Sequence, residues 1–127
     1  MITVSNNINK ITEQIIGVAI EIHKKLGPGF VEKVYQRVLY IELKKLGLPM
    51  DREFKIVIKW GNSIIGYQIV DFVVADVFVE IKATSEIQDI HKYQLLSYLK
   101  AANKPLGLLL NFGSPTLTIK RVINTIK

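Results

Sequence analysis

The sequence predicts an α/β protein, a mixed β-sheet flanked by helices, with elements in the order α-α-β-β-β-α-β-β. Three observations carry this expectation. Up to Leu46, apolar residues recur at helical spacing. From Phe54 the apolar period drops to that of strands. After the third strand-like run a helical segment returns, followed by the unbroken apolar stretch "PLGLLLNF". A helix crossing between two strands sets them parallel, whereas hairpin neighbours run antiparallel, so the sheet is mixed.

The first helix should start near Ser5 to Asn7, which are good N-cap residues. Ile8, Ile11, Ile15, Val18, Ile22 and Leu26 then form an amphipathic stripe. The second should run from about Phe30 to Leu46, with Val31, Val34, Val38 and Ile41 in one apolar row and Leu39, Leu43 and Leu46 beside it. The phrase "KKLG" closes both helices, with Pro28 and Pro49 soon after as stop signals. In "EFKIVIKW", Phe54, Ile56, Ile58 and Trp60 alternate with Lys55, Val57 and Lys59 as a half-buried strand. Gly61 and Asn62 turn the chain into a strand from Ser63 to Val74, and a third spans Val77 to Lys82. Ser85 and Gln88 have capping-box spacing for a helix reaching Ala102. "PLGLLLNF" reads as a strand covered on both faces. After the turn "GSP", "TLTIKRV" alternates as the last strand.

With 127 residues the chain suits one domain, 1–127, with a real core. It has no cysteine, which excludes disulfides, thiolate metal sites and thiol nucleophiles. No segment reads as a leader or a spanning helix, so a cytoplasmic protein with no membrane partner is expected. The formal net charge of +6 favours polyanions, nucleic acid among them, or simply solubility. The basic residues are scattered and form no polybasic tail.

The stretch "VFVEIK" raises the chemical question. It puts Glu80 and Lys82 on one face of an apolar strand. A tight turn at Ala75 and Asp76 sets Val73 opposite Phe78, Phe72 opposite Val79, and Asp71 opposite Glu80. Cross-strand carboxylates lie roughly 5 Å apart at Cβ and repel. A shared proton, Lys82 or a divalent cation could offset that repulsion. Two readings stand side by side. In one, Asp71 and Glu80 bind Mg²⁺ or Mn²⁺ while Lys82 positions a water or stabilises developing charge. In the other, the three residues form a solvated ion network at a strand end.

"VD" at Val70–Asp71 followed by "EIK" at Glu80–Lys82 resembles the signature of the PD-(D/E)XK nuclease superfamily, with Val70 where the name has proline. "LGPGFVEKVYQRVL" resembles the motif of its small GxxExxY family, falling on Gly29, Glu32 and Tyr35. "HKYQLLSYLK" and "GLLLNFG" are similar to that family's later blocks. The resemblance implies a restriction-endonuclease-like core, Asp71 and Glu80 as metal ligands, and Lys82 as the catalytic lysine. It also implies that Glu32 joins the metal site, directly or through water, although a first-turn acid also suits the helix dipole. Tyr35 shares that helix face and either bonds a site carboxylate or is a core tyrosine. Gln94 and Tyr98, one helical turn apart, resemble the extra motif of exonuclease-type members and would touch the substrate. They could equally be a polar pair at a core border. His91 could face the same cleft or be structural. Asn111 could line the site or close a turn.

The expected function is Mg²⁺-dependent hydrolysis of nucleic-acid phosphodiesters, with DNA ahead of RNA as partner. The carbonyl of Ile81 could complete the coordination. The alternative is a non-catalytic nucleic-acid-binding or protein-interaction module on the same fold. So small a core often needs a homodimer or a protein partner to grip a duplex.

Overall fold

The computed structural model describes residues 5–125; the first four residues, on which part of the leader expectation rests, and the last two lie outside it. Helix α1 (Asn6–Leu26) starts where the Ser5 hydroxyl accepts the Ile8 N–H. It ends at Gly27, whose φ of 67° a side chain would disfavour. Helix α2 (Glu32–Lys44) is shorter than expected. Its buried face is Tyr35, Leu39 and Leu43, while Val31 and Ile41 of the expected row are exposed. Both rows have helical spacing. The stacking of Tyr35 on Phe112, with ring centroids 4.7 Å apart, decides between them.

Strands β1 (Met50–Trp60), β2 (Ser63–Val74) and β3 (Val77–Lys82) form an antiparallel meander. Helix α3 (Asp89–Ala102) crosses to β4 (Leu106–Asn111), which pairs parallel to β3, and β5 (Thr118–Ile123) closes the sheet antiparallel to β4. The strand order is β1-β2-β3-β4-β5. The expected Ser85–Gln88 capping box does not form. The chain first bends, with Thr84 Oγ1 donating to the Glu86 carbonyl, and α3 begins later. Gln88 is its N-cap, and His91 is the reciprocal partner.

Helices α1 and α2 cover one sheet face, against Val77, Val79 and Ile81 of β3 and the even-numbered leucines of β4. Helix α3 covers the other, where Phe78 and Leu109 meet Leu95 and Leu99. Strand β4 is buried at every position, as its unbroken apolar run implies. The far end of the β1–β2 hairpin escapes α3. A helix of 14 residues is about 21 Å long, whereas a strand of 11 residues spans about 36 Å. Ile56 is therefore buried, Phe54 and Ile58 half-buried, and Trp60 79% exposed. The half-buried alternation expected up to Trp60 fails at its last residue.

One irregularity bears on the site. Glu53 has a φ of 53°, and the β1–β2 ladder passes from Arg52↔Phe72 to Phe54↔Val70 without pairing Glu53 to Asp71. Side-chain alternation slips there. Val70 packs on the α3 side, yet Phe72, two residues on, packs on the α1–α2 side. Among the described residues no helix is long and apolar enough to cross a membrane.

Candidate active site

The β2–β3 ladder has the expected register, Val73↔Phe78 and Phe72↔Val79. Beyond it, carboxylates take the place of rungs. The Asp71 N–H donates to Glu80 Oε1 at 2.8 Å, and the Ile81 N–H donates to Asp71 Oδ2 at 2.8 Å. The strands part here, and each carboxylate is held by backbone of the other strand. Gln36 Nε2 on α2 donates to Asp71 Oδ1 at 3.0 Å and to Glu32 Oε1 at 3.3 Å. Thus Asp71 and Glu80 converge, and Glu32 joins them through Gln36.

The charges are poorly matched. Burial, then the charge of Asp71, pushes the Glu80 carboxyl up to about 8. Burial also raises Asp71, against the bonds it accepts from Ile81 and Gln36, and Glu53 adds repulsion. Glu32 is raised by burial and then by Asp71. The charge of Lys82 opposes the rise at all three. Lys82 nevertheless forms no ion pair among the described residues, so its ammonium remains available.

Such a site has more carboxylates than cations, and its donors are carboxylate oxygens. Among the described residues no three His, Asp or Glu side chains converge closely enough to hold a metal alone. A hard cation that keeps several waters needs only one or two carboxylates. Asp71 retains lone pairs beyond the bonds it accepts, and Glu80 Oε2 accepts none from the described residues. On donor chemistry, Asp71 and Glu80 fit Mg²⁺ or Mn²⁺.

Tyr98 on α3 is buried, and its hydroxyl donates to Gln68 Oε1 of β2 at 3.0 Å. Burial, then the charges of Glu80 and Asp71, raises its pKa. Gln94 lies a turn earlier on α3 with its side chain exposed. Of the two alternatives for Tyr35, the structure has the core tyrosine, bonded to no site carboxylate. It is fully buried; its hydroxyl donates to the Gly27 carbonyl at 2.6 Å and accepts the Phe30 N–H. Tyr35 braces the α1–α2 turn from within the core. His91 Nδ1 accepts the Gln88 N–H, so the ring caps α3, and no bond links it to Asp71 or Glu80. Asn111 closes a loop. Its Oδ1 accepts the Thr84 and Gly113 N–H groups, and its Nδ2 donates to the Thr84 carbonyl.

Sequence reasoning missed Gln36, although its place four residues after Glu32 puts both on one helix face. It also missed a cleft of about 770 Å³ between α2 and the β1–β2 hairpin that reaches Asp71. Lys33, Arg37 and Arg52 line it, with Glu53 opposing them. These residues are scattered along the chain, and only the packing of α2 on β1 brings them together.

A five-stranded mixed sheet between helices, with paired carboxylates and a lysine where β2 and β3 part, defines an α/β protein with a restriction-endonuclease-like fold. The chain belongs to the PD-(D/E)XK nuclease superfamily, whose model matches residues 9–122. The solved structure of SSO0001 is similar in fold, with a TM-score of 0.52 and 16% identity over 92% of this chain and 79% of that one. No curated protein matches the chain.

Proposed function

We propose that the chain, as one domain of the GxxExxY kind, is a divalent-metal-dependent nuclease hydrolysing nucleic-acid phosphodiesters. The observation that carries the reading is the convergence of Asp71 and Glu80 within the field of Lys82, whose ammonium forms no ion pair among the described residues. Asp71 and Glu80 would hold Mg²⁺ or Mn²⁺, which supplies charge neutralisation at the scissile phosphate and acidifies water. Lys82 orients the attacking water and stabilises charge developing on phosphate oxygens. Gln36 holds Asp71 and Glu32 in place for that task. Gln94, exposed on α3, is open to contact by a substrate strand, while Tyr98 is buried and donates to Gln68. The Gly29, Glu32 and Tyr35 spacing supports the GxxExxY assignment.

The test is cleavage of labelled DNA and RNA, single- and double-stranded, in Mg²⁺, Mn²⁺ or EDTA. Wild type should cleave at least one substrate only with metal, and Glu80→Ala and Lys82→Ala should each lose roughly 100-fold or more. Equal residual activity in wild type and Glu80→Ala sinks the catalytic reading. Binding without cleavage would favour the non-catalytic module.

A further inference from the structure

The basic cleft does not end at Asp71. Ile69 lines it and is also 58% exposed on the adjoining face of the β1–β2 hairpin. That face points away from α3, because Ile56 and Val70 occupy the α3 side. It carries the cross-strand pairs Lys55↔Ile69 and Val57↔Tyr67. Tyr67 is 50% exposed, and Lys55 Nζ lies 3.8 Å from its ring centroid. Tyr67 stands four residues along β2 from Asp71, roughly 13 Å. Lys33, Arg37, Arg52 and Lys55 form no ion pair among the described residues. Cations with no carboxylate partner among the described residues, Arg52 over the Tyr40 ring and Lys55 over the Tyr67 ring, therefore lead from the carboxylates onto an exposed apolar and aromatic sheet face.

We infer that the substrate is single-stranded nucleic acid, its phosphates on Lys33, Arg37 and Arg52 and its bases against Tyr67 and Ile69 of the hairpin. This deepens the nuclease reading and rests on it. A basic groove beside an aromatic platform is how single strands are held, since every base offers a flat face for stacking. A duplex hides those faces and would set its phosphates against apolar side chains. A second copy docked across a two-fold axis would oppose Lys55 and the cleft cations to themselves, and like charges at an interface are unfavourable.

The experiment is fluorescence anisotropy of labelled single- and double-stranded oligonucleotides, DNA and RNA, with the full chain in EDTA. Single strands should bind at least roughly tenfold tighter than duplex of the same sequence. Tyr67→Ala should weaken single-strand binding roughly tenfold, while Tyr67→Phe retains it. Arg37→Ala should lower the salt slope by about 0.7, one phosphate contact. The inference is overturned if duplex binds as tightly, or if Tyr67→Ala changes nothing. It is also overturned if sedimentation shows a dimer that Tyr67→Ala disperses, since the face is then a self-interface. The DNA and RNA arms tell which sugar the cleft accepts. Single-strand binding without cleavage in Mg²⁺ removes the nuclease reading and leaves this one. Metal-dependent cleavage confined to duplex does the reverse.

Discussion

Replacing Glu80 by glutamine should stabilise the metal-free protein above pH 8 and leave it unchanged near pH 4. In the folded chain Glu80 keeps its proton up to about pH 8, whereas the unfolded chain releases it near 4.5. Between those values the folded state binds more protons, so stability falls as pH rises, and the full penalty is present above pH 8. At about 1.4 kcal/mol per pH unit the ceiling on that penalty is about 5 kcal/mol. Glu80→Gln removes the charge but keeps an oxygen for the Asp71 N–H. Part of the penalty is shared with Asp71, so about 2–4 kcal/mol should be regained. Urea unfolding followed by far-UV circular dichroism, in EDTA from pH 4 to 9, measures both proteins. The gap between them should open with rising pH. In wild type, Mg²⁺ should narrow it by stabilising the carboxylates, and the variant should respond less. A gap independent of pH, or a variant less stable than wild type at pH 9, would refute the reasoning.

Gln36→Ala frees Asp71 and Glu32 from their shared donor; cleavage should fall roughly 10- to 100-fold, with a higher metal concentration needed for half-maximal rate. Kinetics titrated with Mg²⁺ check this, and an unchanged metal dependence would argue against a positioning role. Tyr35→Phe leaves the Gly27 carbonyl and the Phe30 N–H without their buried partner, for about 1–3 kcal/mol of lost stability by urea unfolding. Its turnover should stay near wild type; a large drop in turnover at full folding would return Tyr35 to the site. Gly113→Ala would place a methyl 2.4 Å from Thr84 N and O. The forced backbone shift should lower stability by at least about 2 kcal/mol in the same measurement, and an unperturbed melting curve would contradict the close approach.

The order of elements was legible because each depends on local pattern. Ile8 to Ile22 repeat at helical spacing, and Phe72 to Phe78 surround a turn whose length sets the register. That register alone brings Asp71 to Glu80. What failed depends on tertiary contact. The buried face of α2 is chosen by the seating of Tyr35 on Phe112, which no spacing reveals. The overhang of Trp60 depends on how far α3 reaches along the sheet. The slip at Glu53 and Asp71 is invisible because neither residue is a glycine, the usual sign of left-handed backbone. Gln36 was hidden by its ordinariness, since a half-buried glutamine on a helix flank carries little signal until its partner Asp71 is placed.

The carboxylate rungs bear on how relatives of this chain should be judged. Asp71 and Glu80 each hold a backbone N–H that the parting strands leave without a ladder partner. A relative without nuclease activity would still need them to close that fork, so their persistence would say little about activity. The Lys82 side chain forms no hydrogen bond or ion pair among the described residues, and only its backbone serves the fold, through the Phe112 N–H. Lys82 is the position most free to drift once chemistry is abandoned, and therefore the one whose retention speaks for a working enzyme.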